Sequence, residues 1–179
     1  MIDLQALRAF AEVLRCGSFS KVIATGLRVG WVQAQPGLIE ALSRVRFDMG
    51  GSPLVHRALA EYVGSGKVEP HAAHMRSLYA EKCAALAASL EEHCTPYLRF
   101  ERPAGGYFLW AECQGAPAAR ITADAAADGL LFAPGSAFHL HPGEDTTHIR
   151  LAFSFATLDE MREVGPRLRS VFRRAGATG

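Results

Sequence analysis

A lysine that condenses with a carbonyl must be neutral when it attacks, and at an ordinary pKa of about 10.4 only roughly one lysine in 2,500 is neutral at pH 7. Holding it neutral costs about 4 to 5 kcal/mol unless neighbours help. The segment Gly17-Ser18-Phe19-Ser20-Lys21, followed by Gly26-Leu27-Arg28-Val29-Gly30-Trp31, puts such neighbours close by in sequence. A guanidinium such as that of Arg28 beside the amine lowers its pKa, and with the hydroxyls of Ser18 and Ser20 it can take up a phosphate dianion. One short segment can therefore both activate an amine and anchor a phosphorylated aldehyde. From the local pattern alone Lys21 also reads as a solvated lysine behind a serine cap, and Arg28 as one half of a surface ion pair.

Arg150 is a second cation placed by a pattern. In Ile149 to Phe155 the residues Ile149, Leu151, Phe153 and Phe155 fall on one face of a strand, and Arg150, Ala152 and Ser154 on the other. Arg150 thus points away from the apolar face, where a planar guanidinium can bind a carboxylate through two parallel hydrogen bonds. The wet face of an antiparallel sheet accounts for it equally simply. His71, His74, His139, His141 and His148 include close pairs but lack carboxylate or thiol ligands at fitting positions, so no metal site is read. Cys16, Cys83, Cys94 and Cys113 have no paired ligand spacing and read as reduced thiols.

Composition bounds these readings without choosing among them. The chain has 179 residues, 49% of them hydrophobic and 21% charged, enough for one sizeable core or two small ones. A net charge of +1 favours no class of partner. The basic group Arg162, Arg167, Arg169, Arg173 and Arg174 reads as a solvated helix end favoured by the helix dipole, above a nucleic-acid surface. Neither a signal peptide nor a long apolar span is read in the sequence, so a cytoplasmic protein off the membrane is expected.

The elements that must position these groups follow from periodicity. Asp3 to Cys16 has the apolar face of a short helix, Arg28 to Ala34 reads as a buried strand, and Pro36 opens a helix through Leu42 or beyond. Leu54 to Val63 is helical, and His71 to about His93 forms one long helix. Leu98 to Glu101 and Tyr107 to Glu112 suit a hairpin, Ile121 to Asp128 a helix stopped by Gly129, and Leu130 to Phe132 a strand ended by Pro134-Gly135. Thr157 and Glu160 form a capping box for a last helix towards Arg173, with Pro166 expected to kink or break it. Gly26 and Gly135 read as turn residues.

The lysine segment closely resembles the lysine motif of class I/II aminotransferases of fold type I, in the branch of aminoadipate-type aminotransferases and the aminotransferase halves of MocR-type regulators. The resemblance extends through Pro103-Ala-Gly-Gly-Tyr-Phe-Leu-Trp110, Gly129-Leu-Leu-Phe-Ala-Pro-Gly-Ser-Ala-Phe138 and His148-Ile-Arg-Leu-Ala-Phe-Ser-Phe155, in the family's order. It implies an α/β fold and pyridoxal 5'-phosphate as cofactor, with transfer of an amino group between an amino acid and a 2-oxo acid. It further implies Lys21 as the Schiff-base lysine, Ser18, Ser20 and Arg28 as the phosphate-binding set, and Arg150 as the grip on the substrate's α-carboxylate.

The pattern departs from the family at the N-terminus. Only sixteen residues precede Gly17, whereas the family builds most of its large domain ahead of the lysine. Residues 1–20 instead resemble the first helix and turn of a LysR-type regulator, with no recognition helix after Ser20. The expected organisation is an N-terminal amphipathic helix (1–16), part of a large domain (17–66), a connecting long helix (67–97) and an aminotransferase small domain (98–179). A truncated aminotransferase that forms a homodimer is the implied protein. A non-catalytic cofactor-binding or regulatory module is the alternative, and a DNA-binding fragment ranks below both.

Overall fold

The computed structural model describes residues 15–45, 50–139, 141 and 145–177. The chain divides into two compact units, residues 1–75 and 76–179. The helix read over Asp3 to Cys16 lies outside the described residues up to position 14, and Arg15 and Cys16 belong to a strand.

In the first unit, β1 (Arg15–Ser18) runs directly into a short helix α1 (Phe19–Val22), and a 3-10 turn at Thr25–Leu27 leads to β2 (Gly30–Gln33). The two strands pair antiparallel with Cys16 opposite Val32 and Ser18 opposite Gly30. Next come α2 (Pro36–Arg44) and α3 (Pro53–Gly64), each opened by a proline whose fixed φ and missing N–H suit the first turn. The buried strand expected over Arg28 to Ala34 is corrected in two respects. It is shorter, and all four residues of β2 are exposed, Trp31 at 44% and Val32 at 48%. Among the described residues its sheet has two strands only, so its faces lack the covering layers that make such a run a buried one.

The long helix α4 spans Val68–Cys94. In the second unit, β3 (Leu98–Phe100), β4 (Phe108–Cys113), β5 (Ala133–Pro134) and β6 (His148–Ala152) form an antiparallel sheet in the order β3-β4-β6-β5, and α5 (Ala118–Ala127) and α6 (Leu158–Arg174) complete the layer arrangement. Leu109, Ala111, Ile149 and Leu151 are buried on one sheet face, packed in one core with Leu86 and Leu90 of α4, Ile121 and Ala125 of α5, and Leu168, Val171 and Phe172 of α6. The opposite face carries Phe108, Trp110, His148 and Arg150, because side chains alternate along each strand.

Three expectations need correction here. Leu130 to Phe132 is irregular; the strand is the next two residues, with Ala133 opposite Arg150 and Pro134 opposite Ile149, at a sheet edge where a missing N–H is tolerated. Phe155 does not share the buried face, since β6 ends at Ala152 and Phe155 is 99% exposed. The chain bends at Ser154, whose carbonyl accepts a hydrogen bond from Lys82 Nζ at 3.2 Å.

Pro166 neither breaks nor ends α6, which is continuous from Leu158 to Arg174 behind the Thr157–Glu160 capping box. A proline leaves the carbonyl four residues earlier without its helical donor. Here that carbonyl, of Arg162, accepts instead from Ser89 Oγ on α4 at 2.5 Å, and the same hydroxyl oxygen accepts from Gly165 N–H at 3.0 Å. Cys94 Sγ donates to the Gly165 carbonyl at 3.3 Å. This exchange requires contact at backbone distance, since a Cβ at Gly165 would lie 2.1 Å from the Ser89 carbonyl oxygen. Among the described residues no helix is long and apolar enough to cross a membrane.

Gly165→Ala should therefore force α4 and α6 apart and lower stability by about 1 to 3 kcal/mol, and Ser89→Ala should cost a similar amount, about 1 to 3 kcal/mol, by orphaning buried backbone groups. Chemical denaturation midpoints of the two variants against the parent chain check this.

Candidate active site

The candidate residues fall in two places. In the first unit, Phe19 N–H donates to the Val29 carbonyl at 3.0 Å, closing the loop between β1 and β2. That bond, with the Ser18–Gly30 pairing, brings the backbones of Ser18 and Arg28 to the same end of the hairpin, with Lys21 on the helix between them in sequence. Ser18 and Arg28 are exposed, while Ser20 is buried at 3% exposure. Arg28 has φ 51° and ψ 30°, the one non-glycine residue with a left-handed backbone among those described. Such a conformation costs on the order of 1 to 3 kcal/mol, and it is retained where surrounding structure demands it.

One of the histidines at which no metal site is read supports this loop. His71 Nε2 donates to the Val22 carbonyl at 2.7 Å, which fixes the ring's Nε2–H form and ties the end of α1 to α4 within the first unit. Among the described residues no group of histidine, cysteine, aspartate or glutamate is arranged to hold a metal ion. Cys83, Cys94 and Cys113 are free thiols. Burial pushes Cys94 and Cys113 up to about 12, so neither is a ready nucleophile.

In the second unit, Arg150 on β6 sits directly opposite Trp110 on β4. Its Cζ lies 3.9 Å from the centre of the Phe108 ring and 3.6 Å from that of Phe138, which a 3-10 turn at Gly135–Phe138 presents. Trp110 meets Phe138 edge-on at 6.0 Å and stacks on His148 at 5.5 Å. Asp145, 7% exposed, anchors the start of β6: its Oδ1 accepts from Thr147 N–H, His148 N–H and His148 Nδ1, each at 3.0 Å. Its Oδ2 lies 3.3 Å from His139 Nε2. A cavity of about 420 Å³ opens beside these groups, lined by Trp110, His139, Asp145, Thr146, Thr147 and His148.

Gly135 is more than a turn residue. A Cβ there would lie 2.4 Å from Asp145 Oδ2 and 2.9 Å from His148 Cβ, so glycine is what lets the Asp145 carboxylate reach its place. Sequence reasoning missed Asp145, Phe108, Phe138 and Trp110. They have no fixed spacing to Arg150, and only the strand register and the loop ahead of β6 bring them together.

The structure is a mixed α/β protein with a lysine-bearing strand–helix–strand hairpin and an antiparallel sheet that holds an arginine on the face away from its core. The model of the family described as aminotransferase class I and II matches residues 4–168. The chain belongs to that family. The match begins at residue 4, inside the stretch expected to open like a LysR-type regulator, an expectation no comparison supports, and β1, a strand rather than a helix end, runs into the lysine segment. The chain is 31% identical over 166 residues to the 2-aminoadipate transaminase of Thermus thermophilus, covering 89% of this chain and 40% of that protein. It is 30% identical over 161 residues to the HTH-type transcriptional regulator YisV of Bacillus subtilis, covering 88% of this chain and 33% of that one. Among solved structures it matches the kynurenine aminotransferase of Pyrococcus horikoshii with TM-score 0.77 and 27% identity, covering 90% of this chain and 40% of that one. It also matches LysN, the alpha-aminoadipate aminotransferase of Thermus thermophilus, with TM-score 0.74 and 26% identity over 99% of this chain and 46% of that one. The fold is accordingly part of a fold type I aminotransferase, and the chain spans about a third to two fifths of the length of these curated relatives.

Burial alone would raise the Asp145 carboxyl, but the hydrogen bonds from His148 and Thr147 and the charge of His148 outweigh it and hold the group at about 2, below its ordinary 3.8. A depressed carboxyl contributes stability above its unfolded pKa that is lost as pH falls through the folded one. The difference in thermal midpoint between the parent chain and Asp145→Asn should therefore be widest near neutrality and close between about pH 4 and about pH 2.

Proposed function

We propose that this chain carries the lysine and the carboxylate-binding arginine of a pyridoxal 5'-phosphate-dependent aminotransferase acting between an amino acid and a 2-oxo acid. The observation that carries the reading is the loop closed by the Phe19–Val29 hydrogen bond, which sets Ser18 and Arg28 at one end of the hairpin that bears Lys21. Their chemistry fits the phosphate end of the cofactor: two exposed residues, one with a hydroxyl and one with a guanidinium, and the buried Ser20 as the third member of the set. The strained backbone of Arg28 supports the same assignment, since strain of this kind is kept where a side chain must be aimed.

In this reading the cofactor, once bound, supplies an electron-poor ring that takes up the electron pair left when a substrate's α C–H bond breaks. Arg28 and the serine hydroxyls would hold its phosphate by charge-assisted hydrogen bonds. Lys21 would be the amine that holds the cofactor's aldehyde and, once a substrate amine has taken its place there, the free base that moves a proton at the substrate's α carbon. Arg150 would bind the α-carboxylate through two parallel hydrogen bonds. Residues 17–66 would belong to the large domain, 67–97 to the connecting helix and 98–179 to the small domain. The working form would be a cytoplasmic homodimer, which would also cover the open β1–β2 sheet.

A second reading has an observation of its own. Relatives named as regulators, the HTH-type transcriptional regulator YisV of Bacillus subtilis and the probable rhizopine catabolism regulatory protein MocR of Rhizobium meliloti, match most of this chain. The same residues would then bind cofactor without turnover, as a sensing module. The LysR-like opening adds a DNA-binding variant of this reading, which ranks last.

Titration of the chain with pyridoxal 5'-phosphate, followed by its absorbance, should show saturable binding that Lys21→Ala abolishes. Arg28→Gly should weaken binding by roughly tenfold or more, the scale of a lost charge-assisted hydrogen bond, while changing stability by no more than about 1 kcal/mol, because glycine accepts the left-handed backbone. Undiminished binding by both variants would sink the assignment. Amino-group transfer among a panel of amino acids and 2-oxo acids separates the enzyme from the sensing module.

A further inference from the structure

Arginine is long and flexible, and a flexible guanidinium loses freedom when it binds a carboxylate. Arg150 has been relieved of much of that freedom in advance. Its Cζ is packed over the rings of both Phe108 and Phe138, at 3.9 and 3.6 Å from their centres. A guanidinium lying flat on ring faces at these distances keeps its N–H donors, which lie in its plane, available. The rings are themselves held. Phe108 is fixed on β4 opposite Ala152, one step along the same sheet face as the Trp110–Arg150 pair. Phe138 is braced edge-on by Trp110, which also stacks on His148, itself hydrogen-bonded to the buried Asp145.

We propose that Phe108 and Phe138 are positioning residues that hold the Arg150 guanidinium in the plane needed to take an α-carboxylate. This rests on the carboxylate role of Arg150 proposed above. The ring faces also keep water from the guanidinium, so a carboxylate at its edge meets a charge that is less screened. Phe138 is the more informative of the two, because it is 44% exposed on a short turn and its replacement leaves the core intact.

The test is a titration of the full chain with 2-oxoglutarate, with its dimethyl ester as the uncharged control. It is followed by the NMR resonance of the Arg150 Nε–Hε group, assigned by its absence from Arg150→Ala, and by calorimetry. The parent chain should bind the acid and not the ester, with a shift of that resonance. Phe138→Leu keeps apolar bulk without a ring, and it should weaken binding by roughly five- to tenfold, the scale of a cation–π contact. The same variant should move the resonance of the free protein towards that of an unrestrained arginine. Phe138→Tyr, which restores a ring, should bind within about twofold of the parent because the contact is retained. If Phe138→Leu binds as tightly as the parent while Arg150→Ala does not bind, the positioning role is wrong and the carboxylate role stands. If Arg150→Ala binds as tightly as the parent, or the parent does not bind the acid, both fall.

Discussion

One backbone hydrogen bond, from Phe19 N–H to the Val29 carbonyl, carries the β1–β2 pairing into the lysine segment and closes it as a loop. With it, eleven residues from Phe19 to Val29 are closed between two paired strands, and the chain must spend a helical turn, a 3-10 turn and a left-handed arginine to make the return. Together with the Ser18–Gly30 pairing it spares a phosphate the cost of ordering a flexible connection between Ser18 and Arg28. His71 reinforces the closure from α4 by taking the Val22 carbonyl, so both ends of α1 are tied down. The chemistry proposed for Lys21 depends on this preorganisation, since an amine and a guanidinium assist one another only when they are held close.

The second unit solves a different problem, which is to keep one cation on a sheet face and make its neighbours do the aiming. The strand alternation that sends Ile149 and Leu151 into the core leaves Arg150 on the other side. A line of support then runs from Phe138 through Trp110 and His148 to Asp145. Asp145 can sit where it does because Gly135 has no side chain. The Pro-Gly-Ser-Ala-Phe segment thus contributes at both ends: its glycine admits the carboxylate and its phenylalanine packs on the guanidinium.

Local chemistry was legible in the sequence and tertiary chemistry was not. The capping box at Thr157 and Glu160 involves residues three positions apart, and it forms as the pattern requires. The long helix α4, the β3–β4 hairpin and the alternation of β6 are likewise periodic features that need no distant partner to be recognised. The exposure of β2, the shift of β5 to Ala133–Pro134 and the turning out of Phe155 depend on which layers are present and where the chain bends. Pro166 is the clearest case: proline in mid-helix reads as a break, and only the hydroxyl of Ser89, 73 residues earlier than its acceptor Arg162, makes it tolerable. The site divides in the same way. Lys21, Ser18, Ser20, Arg28 and Arg150 could be named from motifs, whereas His71, Phe108, Phe138 and Asp145 acquire meaning from contacts that have no sequence spacing.

The chain has three lysines, Lys21, Lys67 and Lys82, which allows a direct test of the central claim that the Lys21 hairpin is where a phosphorylated aldehyde is captured. The measurement is borohydride reduction of the chain after incubation with pyridoxal 5'-phosphate or with pyridoxal lacking the phosphate, followed by peptide mass mapping. The account predicts label concentrated on Lys21, dependent on the phosphate and displaced by excess inorganic phosphate. Label spread evenly over the three lysines, or equal labelling of Lys21 by both aldehydes, would contradict it.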